Sequence, residues 1–525
     1  MNARGKPRPR NKAKRGKPKP KKTGTAKTSS RLSVRNQYEA GAMGRRLAGW
    51  LPGAIGPNQA ILRDLTQLRN RSRDLIRNNP WITRGVNSWV ANEIGCGITF
   101  KSAAPDEEWR KMADKLWERQ SQYFDADGMF DFSGMLSQIV RTRRAAGEIF
   151  IRRRLRRSSD GLPVPLQYQL IEPELCPHDQ NSFIAGGRTV RAGIEFDPIG
   201  KRRAYWMYRS HPGDFFLGQF RDLELIAIPA ESVIHHYAPL RPGQIRGVPA
   251  IVQALIKAKD FDEYDDAELV RKKNRSAFTG AITRPTYTPD VDDLFDPLTG
   301  EPINKDFNGI PVTDIQAGQF FTTLPGEDVK LFEGDSSGGG YADFVRQQLL
   351  GIGAGQDVPY EFISGDFSKL NDRTLRVVLA EYHRSVEQDR WQLTIPQVCL
   401  PIWKDFIDIA ILSGALPEPV GVAPQDYQKV ACHPEGWPYL HALQDVEADV
   451  QALKAGLTSR KRIKSEDGED VREIDLERQE DLKRDRELGL VSDFGSSASK
   501  PPQADPNADP NADPNADPSQ AGAGY

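Results

Sequence analysis

An α+β fold is what this sequence of 525 residues predicts. Three observations carry that reading. Apolar residues recur at helical spacing from about Arg63 to Gly147, and again beyond Gly247. Between them lies a stretch of β-branched and aromatic runs punctuated by Gly, Pro and Asp. Hydrophobic content is 38% and charged content 27%, a balance that fits a soluble chain with an extensive wet surface. This length suits roughly two to four domains and a sizeable core. No apolar run approaches the roughly 18 residues of a membrane span, and the N-terminus lacks the apolar region of a signal peptide. The expected compartment is the cytoplasm of the cell that makes it.

The net charge of zero hides an asymmetry. Residues 1–35 hold 14 Lys/Arg and no Asp/Glu, which leaves 58 basic residues against 72 acidic ones from residue 36 onward. A basic arm of this composition cannot support a core and is expected to be disordered. Its natural targets are nucleic acid or an acidic partner. The acidic remainder argues against tight general DNA binding, which needs clustered Lys/Arg to displace counterions.

Residues 36–247 read as one α+β domain. A helical pattern from Arg63 to Glu93 is interrupted at Asn79-Pro80, where the proline should start a second helix. A further helix is predicted between Pro105 and Phe124, with Trp109, Met112, Leu116 and Trp117 on one face. Another runs from Ser133 to Gly147, with Ser133 as its cap. Strands are predicted at Glu148–Arg154, Leu166–Ile171, Arg188–Phe196, Arg203–Tyr208 and Ser232–Tyr237.

Gly247-Val248-Pro249 then opens a helix to Phe278, which at 1.5 Å per residue would span roughly 45 Å. Its charges fall in blocks: Lys257 and Lys259, then Asp260, Asp262, Glu263, Asp265, Asp266 and Glu268, then Arg271, Lys272, Lys273 and Arg275. Such blocks suit lateral pairing between copies of the chain, or a solvated face in a monomer. Residues 280–333 carry turn residues and short strand-like runs at Ala281–Thr283, Gln319–Thr323 and Val329–Phe332. Ser336–Gly340 is a flexible joint, followed by a helix from Tyr341 to about Ile352.

Next comes YEFISGDFSKLNDRTLRVVLAEYHRSVEQDR, residues 360–390. A loop of Gly, Asp, Ser and Asn runs straight into a helix with Leu375, Val378, Leu379, Tyr382 and Val386 on one face and dense charge on the others. This is either a surface helix with a flexible leading loop or a helix packed against copies of itself around a wet channel. Only Phe367 and Leu370 are bulky and apolar in the loop, so little is expected to hold it in one position. Pro396 should kink or break the helix near residues 392–396. Ile402–Leu412 is strongly apolar and returns the chain to the first domain. Helices are predicted at Leu440–Ala455 and Val471–Leu488. A low-complexity tail with the repeat Ala-Asp-Pro-Asn closes the sequence from Gly495.

The 360–390 segment resembles the tunnel loop and long helix of the lambda-family phage portal proteins. Arg73–Ile98 is similar to that family's opening helix, His235–Pro249 (HHYAPLRPGQIRGVP) to its entry into the stem, and Trp437–Leu490 to its C-terminal helical region. The resemblance implies a portal fold assembled as a ring, with a wing at 36–247, a stem helix at 248–278 and a clip at 279–335. A returning stem helix at 336–356, a tunnel-loop region at 357–372, a long kinked helix with wing return at 373–416 and a helical crown at 417–494 complete it. The arm 1–35 and tail 495–525 lie outside the pattern. The implied site residues are Gly365, Asp366, Phe367, Ser368, Lys369, Leu370, Asn371 and Asp372, facing DNA. Asp262, Glu263, Asp265, Asp266, Arg271, Lys272, Lys273 and Arg275 would make contacts between subunits.

Residues of the types that carry chemistry fall short of the motifs that would use them. Gly334–Gly340 and Gly351–Gly355 lack the Gly-Lys-Ser/Thr ending of a phosphate loop and read as hinges. His235 and His236 are adjacent on a strand and point to opposite faces. His433-Pro434-Glu435 and His178-Asp179 lack a third ligand at metal spacing. Asp290, Asp292, Asp293 and Asp296 lack the Gly and terminal Glu of a calcium loop. Ser364–Ser368 is not a nucleophile elbow. Cys96, Cys176, Cys399 and Cys432 show no Cys-x-x-Cys spacing and are expected to be buried thiols. No catalytic, cofactor or metal residue is assigned.

The implied function is that of a portal at the unique vertex of a tailed-phage head, acting in the virion and in the host cytoplasm during assembly. Implied partners are further copies of the chain (twelve in the ring), the terminase large subunit, scaffold and major capsid protein, a head-completion protein and double-stranded DNA in transit, with no membrane. The competing reading is a DNA-binding or DNA-processing enzyme anchored by the basic arm.

Overall fold

A computed structural model describes Gly49 and residues 52–214, 224–277, 281–283, 298, 328–330, 340–438 and 441–490. The chain divides into two units, residues 1–55 and 56–525. In the first, the described residues include a tight turn in which the Ile55 amide donates to the Gly53 carbonyl. All elements below belong to the second.

Helices α1 (Pro57–Leu62), α2 (Leu65–Asn78) and α3 (Pro80–Glu93) open it. As the sequence predicts, the break falls at Asn79-Pro80. Pro80 takes the first helical position, and the Asn79 side chain accepts from the Ile82 amide at 3.0 Å. Helix α4 (Glu107–Gln120) is capped by Asp106 and buries Trp109, Ala113 and Trp117, one residue per turn of a single face. Met112, assigned to that face from sequence, is 45% exposed. Helix α5 (Phe132–Ala146) starts one residue earlier than expected, because Asp131 rather than Ser133 is its cap and accepts from the Gly134 amide at 2.7 Å. Gly147 ends it at φ +90°, and a Cβ there would stand 2.4 Å from the Val248 carbonyl carbon, so only glycine fits the crossing of these two backbones.

The sheets follow. Strands β2 (Glu148–Leu155), β3 (Leu166–Ile171) and β9 (Val233–Tyr237) form an antiparallel sheet of order β3-β2-β9. A five-stranded antiparallel meander contains β4 (Ser182–Ile184), β5 (Arg188–Arg191), β6 (Ile194–Phe196), β7 (Arg202–Tyr208) and β8 (Leu225–Pro229). The single run expected at 188–196 is two strands, folded back at Ala192 and Gly193, both at positive φ. Strand β1 (Ile98–Ser102) pairs with β12 (Val430–Pro434), Ile98 opposite Pro434, so chain from beyond residue 400 closes onto the N-terminal helices. Neither strand was expected; each has only five residues, too few for the brief alternation of Ile98-Thr99-Phe100-Lys101 to stand out.

The main core lies among these helices and β1. Trp117 stacks on Phe100 at 4.7 Å and meets Trp403 and Phe406 at 5.1 Å each. Trp403 and Phe406 come from α10 (Leu400–Leu412), which returns to this core as predicted. A second cluster around Phe150, Tyr205, Met207 and Ile228 joins the two larger sheets.

Helix α6 (Leu255–Ala277) is shorter than the sequence suggested, with 23 residues and a length of roughly 35 Å. Pro249 does not open it. Residues 249–254 wind as tight turns, Val252 amide to Pro249 carbonyl and Ala254 amide to Ile251 carbonyl, which tuck Ile251 fully into the core. Strands β10 (Ala281–Thr283) and β11 (Asp328–Lys330) pair antiparallel, in line with two of the three expected runs. Gln319–Thr323, the Asp290–Asp296 cluster, the joint at 336–339, the arm and the tail lie outside the described residues. Helix α7 (Tyr341–Ala354) returns along α6, and Tyr264 packs on Phe344 at 4.5 Å.

Helices α8 (Tyr360–Ser364) and α9 (Asp372–Asp389) bracket the loop. Beyond α9 the helical winding does not break at Pro396. Residues 390–399 form a π-helical stretch that runs unbroken into α10, with the Leu400 amide reaching the Ile395 carbonyl. The wider winding accommodates a residue that has no amide to donate and whose ring crowds the preceding turn of an α-helix. Then follow α11 (Pro424–Tyr427), β12, α12 (Ala442–Lys454), α13 (Arg460–Glu466) and α14 (Val471–Leu488). Cys176 and Cys399 are buried as expected, but Cys96 is exposed and Cys432 half-buried, because Cys96 sits in the turn between α3 and β1.

Candidate functional site

The loop between α8 and α9 is held by its own hydrogen bonds, contrary to the expectation that little fixes it. Gly365 caps α8 at φ +73°, its amide donating to the Glu361 carbonyl at 2.8 Å. Asp366 is the centre. One carboxylate oxygen accepts from the Ser368 amide at 3.1 Å and its hydroxyl at 2.5 Å; the other accepts from the Tyr360 hydroxyl at 3.2 Å. The bonds from Ser368 hold this carboxyl below its ordinary range. The Leu370 amide donates to the Phe367 carbonyl, which tightens the turn. Asn371 then caps α9, accepting from the Thr374 amide and hydroxyl at 2.8 Å each. Outside this frame stand Phe367 and Lys369, which like Ser368 are exposed.

The loop is also pinned from behind. Arg84 of α3 donates through Nε to the Phe362 carbonyl at 2.8 Å. The Phe362 ring stacks on Tyr382 of α9 at 5.2 Å. Tyr382 and Val386 are the buried members of the predicted apolar face, while Leu375, Val378 and Leu379 are half-buried nearer the loop. At the start of α9, Asp372 lies 3.5 Å from Arg376 and 3.1 Å from His441.

The far end of α9 is fixed by a buried ionic cluster that the sequence reading missed. Glu93 accepts from Arg143 at 2.7 Å, the Trp89 indole at 2.7 Å and Thr394 at 2.5 Å. Arg143 also meets Asp389 at 2.9 Å. Arg390 donates to the carbonyls of Asn92 (2.7 Å), Glu93 (2.9 Å) and Glu435 (3.3 Å). A signal for these residues exists. Glu93 continues the phase of Ile82, Val86 and Trp89, and Arg390 that of Tyr382 and Val386; a charge in the buried phase of a helix needs a partner.

A second missed cluster ties the sheets to the entry of α6. The fully buried Glu148 meets Arg246 at 2.6 Å, His235 at 2.9 Å and the Gly247 amide at 2.7 Å, and it also binds Arg69. Burial alone would raise its carboxyl, but Arg246 and Arg69 hold it well below the ordinary value. Burial pushes His235 down to about 4. His236 faces the other way, toward Gln397 of the π-helical stretch at 2.9 Å.

The charge blocks of α6 lie mostly at the surface, and several of their members are paired within the chain. Asp262 accepts from Asn79 at 3.0 Å, Glu263 pairs with Lys259 at 2.8 Å, and Asp265 accepts from the Tyr341 hydroxyl, which lifts that phenol to about 12. Arg271 and Lys272 reach back to Glu268. Asp266 and Lys273 are exposed, and the side chain of Arg275 lies outside the described residues. Glu172, Glu174 and His211 bring three possible metal-ligating atoms within 4.8 Å of one another. Arg73 already bridges the two carboxylates, at 2.8 Å from Glu174 and 3.4 Å from Glu172, so both are paired without an ion.

Comparison with known proteins gives a consistent answer. Residues 43–390 match the family described as phage portal protein, lambda family. A probable portal protein of Halomonas phage phiHAP-1 is 24% identical over 455 residues, covering 84% of each chain. Portal protein B of Escherichia phage lambda is 20% identical over 488 residues, covering 85% of this chain and 89% of its own. Among solved structures, a chain in the neck of a native gene transfer agent particle, computed with twelvefold symmetry, is 13% identical with a TM-score of 0.45, covering 76% of this chain and 92% of that one.

Proposed function

The chain belongs to the lambda family of phage portal proteins, structural head–tail connector proteins of tailed phages and phage-like particles, and we propose how its parts divide that work. Twelve copies close into a ring at one vertex of the head. The ring nucleates assembly with scaffold and major capsid protein, receives the terminase large subunit during packaging and later binds a head-completion protein. Residues 279–335 form the clip that meets the terminase. Helices α6 and α7 form the stem, and residues 417–494 the crown. The protein works in the virion vertex, after assembly in the host cytoplasm.

The loop 365–372 faces the DNA in this reading. What supports it is its construction: a turn closed by Asp366 and Asn371 sits at the end of a long helix whose other end is locked into the core by Glu93, Arg143 and Arg390. Such a mount carries force from a small exposed tip to the body. The tip presents Phe367, Ser368 and Lys369, the sole cation of the loop, so contact with phosphate is brief and salt-screened. An acidic wall repels phosphate and lets a duplex slide.

The test has two parts. Electron microscopy of the purified protein is expected to show rings with a central hole, and compact particles without a hole would refute the ring. Replacing Phe367–Leu370 by a Gly-Ser linker should leave rings and terminase docking intact while infectious particles and full-length packaged DNA are lost. Full infectivity of that variant would refute the assignment of the loop.

A further inference from the structure

A cavity of about 220 Å³ opens where helices α13 and α14 meet β1, β12 and α4. Four cationic side chains line it, Lys101 of β1, Arg110 of α4, Lys461 of α13 and Arg472 of α14, together with His433 of β12. The carboxylates around them are engaged elsewhere. Glu473 and Glu118 hold Lys101. Glu469 pairs with Lys464 at 3.2 Å, and Asp470 caps α14 by accepting from the Arg472 amide at 3.0 Å. Glu107, close enough to feel Arg110 and Arg472, holds Lys111 at 3.0 Å. Arg110 itself donates to the Ala104 carbonyl at 2.8 Å. Among the described residues Arg110, Lys461 and Arg472 make no direct ion pair, so three positive charges face one cavity.

A buried histidine points the same way. His433 is 6% exposed, and its Nδ1 lies 2.9 Å from the Ser465 hydroxyl. Its Nε2 has no hydrogen-bond partner among the described residues, although the ring lines the cavity. With Ser465 donating to Nδ1, the Nε2–H is a donor that burial leaves short of an acceptor. The first turn of α14 adds the positive end of an 18-residue helix. The cavity is smaller than the roughly 300–1,000 Å³ of pockets for drug-sized ligands, which suits a small ion. We propose that it binds inorganic phosphate, a compact tetrahedral oxyanion, through Arg110, Lys461 and Arg472, with His433 donating from Nε2. Helix α14 buries no residue of its own, so the bound ion fastens α13 and α14 to β1 and α4. The site is independent of the ring reading.

The experiment titrates phosphate into the full-length chain at fixed ionic strength, balanced with chloride, and reads calorimetry and the thermal melt. The expected result is saturable binding of one phosphate per chain and a melt that rises with its concentration. Lys461→Gln with Arg472→Gln should weaken binding at least tenfold and leave the phosphate-free melt in place, because both side chains are exposed. A rise that chloride alone reproduces, or undiminished binding by that variant, would overturn the site. Deoxyadenosine monophosphate separates the free ion from the phosphate of a nucleotide. It should bind at least tenfold more weakly, and binding as tight as phosphate would overturn the free ion as occupant. If the double variant fails to fold, Lys461→Gln alone decides: it should weaken binding severalfold, and unchanged affinity would overturn the proposal.

Discussion

The domain built on α2–α5 and the two larger sheets and the helices α12–α14 solve the problem of apolar surface in opposite ways. The first encloses it: Trp117, Phe100, Trp403 and Phe406 interlock, and even Glu93 and Glu148 are buried with matched guanidinium groups. The second displays it, with Leu443, Val446, Val450, Leu457, Leu476 and Leu488 all exposed. Helix α6 is intermediate, burying Leu255, Ala258 and Phe261 while Ile256, Leu269 and Val270 face outward. One region hides its apolar side chains within the chain, and the other leaves them exposed.

Substitutions that break the enclosed region should cost most. Glu148→Ala strands Arg69 and Arg246 without their buried partner and is expected to destabilise the protomer by about 3–5 kcal/mol in urea denaturation. Trp403→Ala opens a cavity among the rings of Phe100, Trp117 and Phe406, with an expected loss of about 3–5 kcal/mol. By contrast, Leu443→Asp, Val446→Asp and Val450→Asp together on α12 should leave the protomer melt in place.

Acid should act on the enclosed region first. His235 is held neutral down to about 4, and burial also lowers His236. In the unfolded chain each takes a proton near its ordinary value of about 6.5. The stability they contribute is therefore whole above that value and falls as pH drops from about 6.5 toward 4. Glu148, held low when folded, adds a loss in the same direction below the ordinary carboxylate value. His235→Phe should flatten the fall above pH 5 in a series of melts across pH, whereas an unchanged slope would show that this ring is not the sensor.

Smaller effects belong to the loop. Asn371→Ala removes the cap of α9 and should cost about 1 kcal/mol. Lys369→Ala should leave stability unchanged and reduce packaged DNA less than the Gly-Ser linker does, as read by the length of DNA in purified particles.

The same contrast explains what could be read from sequence. Helices with a strong apolar phase were legible, as were punctuation marks such as Asn79-Pro80 and Gly147. The order of motifs also carried the family. Strands β1 and β12 were not, because a five-residue strand is defined by a partner more than 300 residues away. The start of α6 was misplaced because Pro249 suits a helix start locally, while the pull of Ile251 into the core decides the winding. The loop was misread as loose because composition shows Gly, Ser and Asn but not the closure of Ser368 onto Asp366. Its backing residue Arg84 is remote in sequence and exposed, so nothing local marks it, while Arg390 at the far end of α9 is legible only as a charge in a buried phase.

The most direct test of the division between enclosed and displayed surface is amide hydrogen exchange on the full-length chain, as protomers dissociated at low concentration. The expected result is that α3, α5 and the sheet β3-β2-β9 are protected, while α12 exchanges fast. Protection of α12 equal to that of α3 would contradict the account.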